Sequence, residues 1–317
     1  MRSRRAHGYV LRVIYSAMPP DIPSLRGLCG ERRAGGMKEL DFDQQLVKDL
    51  AIPPRPQVVT ILFEEMSRDH PDLNRVAKQI ATDVGLAGAM LKAVNSPQFG
   101  LGRKVSSVPQ AISVMGFKNV ANIATALVIK NSLGGGNAAL ERFWDTAEKV
   151  ALISARLARQ FKGIAADEAY TVGLFHDVGI PLLMKRFDNY REVLMRANSE
   201  PGQSFTAGED AAFSTNHTVV GFLLARSWGL SATLCEAIRS HHDMGLFVSA
   251  DPVADLDLLN HVALIHLAEH VQHLTMRDGD DLEWDKFQGA VMCHFGLSED
   301  DLLDIVEDAQ RAFPSRH

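Results

Sequence analysis

Gly173-Leu174-Phe175-His176-Asp177-Val178-Gly179 is the stretch on which the reading of this chain turns. An apolar, helix-compatible run ends in an adjacent His and Asp, and a glycine follows two residues later. Further imidazoles and a carboxylate lie downstream at His217, His241, His242 and Glu269. Imidazole and carboxylate groups delivered from several helices are what a divalent metal such as Mg, Mn, Fe or Zn requires. The competing reading is a structural pair, in which Asp177 accepts hydrogen bonds and ties neighbouring helices together.

Outward from this stretch the texture is helical on both sides. Residues 166–175 form the helix that carries the His-Asp pair. Residues 138–161 before it repeat apolar side chains at Phe143, Val150, Ile153 and Leu157, a 3.6-residue period. After it come helices over 181–187, 190–197, 219–228, 232–241 with Ser231 as cap, 258–274, 284–295 and 299–313. Asn216-His217 reads as a helix start. His241-His242 falls at a helix end, where a charged imidazole also favours the dipole, so one of the two can be purely structural. On 258–274, His261, His266, His270 and His273 recur at helical spacing and read as a polar or half-buried face, the alternative being a ligand stripe.

The first half follows the same pattern. Residues 42–51 are amphipathic and end at Pro53-Pro54. Residues 58–66 are helical, Asp69-His70-Pro71-Asp72 makes a turn and cap, and Leu73, Val76, Ala77 and Ile80 share one face. Helices over 85–94, 108–115 (Ser107 as cap, Gly116 as stop) and 120–133 complete the half, with Met90, Met115 and Phe117 in the core. Gly134-Gly135-Gly136 breaks the helix, at roughly 1 kcal/mol per glycine. It lacks the preceding strand and following Lys-Ser/Thr of a phosphate-binding loop. No series of alternating strands occurs, so the chain is expected to be all-α.

Composition narrows the class. The 317 residues are 46% hydrophobic and 23% charged, enough for a sizeable core. The net charge of -6 argues against a general nucleic-acid binder, and no basic recognition helix is apparent. Cys29, Cys235 and Cys293 form neither a metal pattern nor a disulfide framework, which suits a reducing cytoplasm. Without 18 consecutive apolar residues, no membrane span is expected. Residues 1–36 hold seven arginines against Asp21 and Glu31, and read as a disordered basic extension upstream of Met37, or as an arm for an acidic partner. Eleven carboxylates between 278 and 308 lack calcium-loop spacing and suit solvated loops and helix N-termini. The expected organisation is therefore residues 1–36 as extension, 37–136 as an N-terminal helical lobe and 137–317 as a second helical lobe.

Taken together, several blocks resemble the HDOD family, the regulatory branch of the HD-domain phosphohydrolases found in bacterial signalling. In the first half these are Pro54-Arg55-Pro56, residues 80–86, Leu91-Lys92-Ala93-Val94-Asn95-Ser96 and Ser107-Val108-Pro109-Gln110-Ala111-Ile112 with Met115-Gly116. In the second half they are residues 173–179, His217 with Gly221, Trp228-Gly229-Leu230-Ser231 and residues 237–242. The resemblance implies a multi-helix fold in which an N-terminal helical lobe packs on an HD-like lobe. It also implies a metal site at His176, Asp177, His217, His241 or His242, and Glu269.

Two positions depart from the catalytic pattern that the resemblance supplies. Thr146 stands where the first His ligand belongs, and Glu269 stands where an Asp is usual. Asp243-Met244-Gly245 after the paired histidines is not the Gly-Tyr-Pro signature of cyclic-dinucleotide phosphodiesterases. The expected function is a non-catalytic signalling module that acts on partner proteins. The alternative is a metal-dependent phosphohydrolase acting on a nucleotide or phosphodiester, with His176 and Asp177 at its active centre.

Overall fold

The computed structural model describes residues 52–96, 99, 101, 103–133, 138–197, 204–248, 256–276 and 281–313. Every regular element among them is a helix. The first lobe comprises α1 (Gln57–Met66), α2 (Leu73–Ala81), α3 (Val84–Val94), α4 (Val108–Met115) and α5 (Phe117–Leu133). The second begins with α6 (Ala138–Leu157), α7 (Ala166–Phe175), α8 (Gly179–Arg186), α9 (Tyr190–Ala197) and α10 (Ala207–Phe213). It continues through α11 (His217–Trp228), α12 (Ala232–Ser240), the single turn α13 (Gly245–Val248), α14 (Leu256–Met276), α15 (Leu282–Phe295) and α16 (Glu299–Ala312).

Local chemistry sets most helix starts. Asp72, Asp83, Ser107, Asn216, Ser231 and Asp281 each accept a backbone N–H of the first turn with the side chain. Ser298 and Asp301 form a reciprocal capping box at α16. The acidic C-terminal stretch is partly explained by these caps.

α7 is buried nearly all round and α5 over most of its length, and both are central. α5 packs against α1, α3 and α4, while α7 packs against α5, α6, α12 and α14. A helix without a polar face belongs inside a bundle. The α5–α7 contact joins the lobes, reinforced by Lys118–Glu168 (2.7 Å) and by Asn122 donating to buried Asp167 (2.6 Å). Trp228, fully buried at the end of α11, donates its indole N–H to the Pro53 carbonyl (2.9 Å) and ties the far end of the chain to the entry of α1.

One apolar core runs through both lobes, from Val59 and Leu62 to Phe175, Leu224 and Ile238. A second is built by α6, α14, α15 and α16 around Leu267, Phe287 and Val306. The ends of the expected helices lie within a few residues of their places, α10 and α13 were not expected, and two expectations of burial differ. Leu73 is 42% exposed rather than on the buried face of α2, because it is the first residue of the helix and lies beyond its neighbours. Of the α14 histidines expected on a polar or half-buried face, His273 is half-buried, while His261, His266 and His270 are buried where α14 packs on α6, α12 and α15. The expected segment 42–51, the triple glycine, residues 1–36 and Cys29 lie outside the described residues.

Candidate metal centre

The glycines of the opening stretch are there for close approach. A Cβ on Gly173 would lie 2.9 Å from the Ala151 Cα, so only glycine lets α7 sit this tightly on α6. A Cβ on Gly179 would meet the His217 carbonyl oxygen at 2.0 Å. The start of α8 is thus pressed against the start of α11, which brings His217 beside Asp177. Between the two glycines, His176 ends α7 and Asp177 occupies the turn into α8.

Four imidazoles surround Asp177, each held through Nδ1 by a group that can only accept. His176 Nδ1–H donates to the Gly173 carbonyl (2.9 Å), and His241 Nδ1–H donates to the Ile238 carbonyl (2.8 Å). His217 Nδ1–H donates to a Glu209 carboxylate oxygen (2.6 Å), and His242 Nδ1–H donates to Glu283 (2.7 Å). Because carbonyls and carboxylates carry no hydrogen to give, every Nδ1 bears the proton and every Nε2 faces inward.

The inward atoms fall into two groups that share one carboxylate. Asp177 Oδ1 lies 3.3 Å from His217 Nε2 and 3.4 Å from His241 Nε2, and His242 Nε2 lies 3.1 Å from His217 Nε2. On the other side, Asp177 Oδ2 and Glu269 Oε1 lie 3.5 and 3.2 Å from His176 Nε2. Each group could bind a metal ion, with ligand atoms all within 4.8 Å of one another. Thr146, half-buried, lines a cavity of about 250 Å³ with His176, Asp177 and Glu269.

Burial and charge act against each other throughout the cluster. Burial pulls the His176 imidazole down, but Asp177 and Glu269 outweigh it and hold the ring well above its ordinary value. Burial likewise opposes Asp177, yet His176, His241 and His217 hold its carboxyl well below the usual range. His217 is raised because Glu209, then Asp177, overcome its burial. Burial and the neighbouring His241 and His217 push His242 well down.

Two atoms test whether a metal fits. Asp177 Oδ1 and His241 Nε2 are both buried and make no hydrogen bond. With the His241 hydrogen held on Nδ1, both atoms can only accept and cannot bond each other across their 3.4 Å, and burying such groups unsatisfied is costly. A cation contacting both would satisfy them, and the Nδ1 anchoring is what metal-binding histidines ordinarily show. The residues present fit a divalent metal.

All of the expected site residues, His176, Asp177, His217, His241, His242 and Glu269, meet at this one place, with both members of the His241-His242 pair directed inward. Glu209 and Tyr190 were not foreseen. Glu209 is fully buried in α10, a seven-residue helix too short to show periodicity, and accepts the Tyr190 hydroxyl, the His217 backbone N–H (3.3 Å) and the His217 ring. Glu283 looked like one acid among many in the C-terminal stretch.

Fold and site together define an all-helical, HD-like protein with a His/Asp cluster that could hold a metal ion. The HDOD domain model matches residues 52–244, well over half of the chain, and the chain belongs to the HDOD family. An uncharacterized protein of Treponema pallidum (strain Nichols) is 23% identical over 194 residues, which cover 60% of this chain and 38% of that protein. The chain thus spans well under half the length of that relative. Among solved structures, it resembles a candidate phosphohydrolase from Shewanella amazonensis SB2B at 20% identity and TM-score 0.62, covering 84% of this chain and 93% of that one. It also resembles a candidate signal transduction protein from Marinobacter aquaeolei VT8 at 18% identity and TM-score 0.57, covering 84% and 58% respectively. At these identities the structural likeness is one of fold. No helix among the described residues is long and apolar enough to cross a membrane.

Proposed function

We propose that the chain is a regulatory HDOD module, with lobes over 37–136 and 137–317, that binds signalling proteins and keeps one metal ion without using it for hydrolysis. The observation that carries this reading is the completeness of one ligand group and the poverty of the other. Asp177, His217, His241 and His242 offer three imidazoles and a carboxylate, and His217 and His241 are fully buried. Four protein ligands with no open position are the mark of a structural metal site, whereas a catalytic one leaves a coordination position free. Imidazole-rich sets favour Zn or Fe over Mg, which prefers an octahedron of oxygens. On the cavity side only His176, Asp177 and Glu269 remain, and the Thr146 hydroxyl is a weak ligand beside the imidazole it replaces.

A phosphohydrolase is the second reading, favoured by the cavity of about 250 Å³ that opens beside His176 and Glu269. A metal bound on that side would supply Lewis-acid polarisation of a phosphoryl oxygen. The test is metal analysis of protein purified without chelator, followed by a phosphodiester hydrolysis screen with Mn²⁺. About one tightly held metal per chain and no turnover is the expected result. Turnover abolished by His176→Ala would replace the scaffold with the enzyme.

A further inference from the structure

The strongest unassigned feature is the pair of acids behind the ligand cluster, Glu209 fully buried and Glu283 half-buried. Both Glu209 oxygens are committed, one to the Tyr190 hydroxyl and the His217 backbone N–H, the other to the His217 ring. Glu283 holds the His242 ring from the first turn of α15. Their two imidazoles point Nε2 at each other across 3.1 Å. Neither acid reaches the ligand atoms of Asp177.

We infer that Glu209 and Glu283 are positioning residues that fix the tautomers of His217 and His242 and thereby commit the site to a cation. An imidazole free to choose would relieve the contact by placing its hydrogen on Nε2 of one ring and accepting at Nδ1. A carboxylate at Nδ1 forbids that choice, because it cannot donate. With both Nδ1 positions held protonated, two lone pairs converge on one point, and only a proton or a metal ion placed there makes the arrangement favourable. Negative charge behind each ring also raises the basicity of its Nε2, as carboxylates behind metal-bound histidines do.

Position in the fold gives the two acids different reach. Glu209 comes from α10, which packs on α9, and Tyr190 of α9 supplies its second clamp. Phe205, just ahead of α10, stacks on the His242 ring at 4.7 Å and meets His217 edge-on. α10 and the Phe205 segment leading into it therefore orient both rings, with α9 clamping Glu209, while Glu283 ties the same cluster to α15. Three separate helices outside the ligand set must be in place for the two lone pairs to converge.

This inference rests on the metal reading above, so its experiment carries an arm that needs no metal. Glutamine is the informative replacement, since its amide keeps the shape but can donate to Nδ1 and so release the other tautomer. In the full chain, Glu209→Gln and Glu283→Gln should each weaken Co²⁺ binding, followed by its visible absorption, by roughly 10–100-fold. Tyr190→Phe, which leaves the carboxylate in place, should weaken it by much less. In the metal-free protein, ¹⁵N chemical shifts of the imidazoles should show Nδ1–H at His217 and His242, and Glu209→Gln should move His217 toward Nε2–H. Should Co²⁺ fail to bind while the tautomers behave as stated, the metal reading falls and the positioning role stands. Wild-type His217 or His242 carrying its neutral hydrogen on Nε2, or glutamine variants that change neither tautomer nor Co²⁺ affinity, would overturn the role itself. Glu283, being less deeply buried than Glu209, guards against a variant that simply fails to fold.

Discussion

Gly179→Ala is the substitution that most directly tests how the fold makes the site. The added methyl would stand 2.0 Å from the His217 carbonyl oxygen and 2.7 and 2.8 Å from its carbonyl carbon and Cα. Such contacts are essentially never closer than 3.0 Å, so α8 and α11 must separate by about 1 Å or more. Main chain lies on both sides of the contact, and no rotamer change can absorb it. Over-packing ordinarily costs about 1–3 kcal/mol, and with two buried helices displaced the upper end applies, about 3 kcal/mol. For a domain of this size that lowers Tm by roughly 6–12 °C. The site is more sensitive than the fold, because metal–ligand distances tolerate only about 0.2 Å. A displaced His217 should therefore reduce Zn²⁺ affinity by on the order of 100-fold. Thermal melts and competition with a chromophoric chelator read the two effects separately. Gly88→Ala is the matched control, since a Cβ there meets nothing within 4 Å inside α3. It should stabilise the chain by about 0.5–1 kcal/mol through helix propensity. A Gly179→Ala protein that melts within about 2 °C of wild type and holds Zn²⁺ equally well would refute this account.

Three further expectations concern other parts of the chain. Thr146→His places an imidazole at the cavity wall beside His176 and Glu269, and should raise the bound metal from about one to about two per chain, read by elemental analysis; an unchanged stoichiometry contradicts the assignment of Thr146. Trp228→Phe removes the indole hydrogen bond to Pro53 and leaves that carbonyl short of a donor, costing about 2 kcal/mol by urea denaturation, with faster amide exchange at the start of α1. Glu65, fully buried in α1, accepts from the Asp72 N–H (2.8 Å), Arg75 (2.5 Å) and Arg68 (2.9 Å), which hold its carboxyl below its ordinary 4.5. A depressed value means the carboxylate stabilises the fold above pH 4.5 and loses this effect as pH falls through the lower folded value. Glu65→Gln should therefore melt well below wild type at pH 7, with the gap closing under pH 4.5; a gap independent of pH would exclude the ionic contribution.

Periodicity and caps made the helices legible because both are local. Asp72, Ser107, Asn216 and Ser231 announce helix starts within three residues of the groups they bind. Family resemblance carried the site residues, since His176-Asp177, His217, His241-His242 and Glu269 occur in recognisable blocks even though their separations in sequence say nothing of distance. α10 was not foreseen, because seven residues give no period to read, and its Glu209 was missed with it.

By itself the sequence determined that the chain is helical and which faces are apolar, and its family resemblance singled out imidazoles and carboxylates suited to a metal. What it could not determine was which of those groups face one another. That depends on Gly173 and Gly179 letting three helices close on Asp177, and on carbonyls and carboxylates from elsewhere fixing each imidazole by its Nδ1. The division of the candidate ligands into a group of four and a group of three around a shared carboxylate is therefore a tertiary fact. It arises from helix packing over separations of up to 93 residues, as between His176 and Glu269, and no local pattern encodes it.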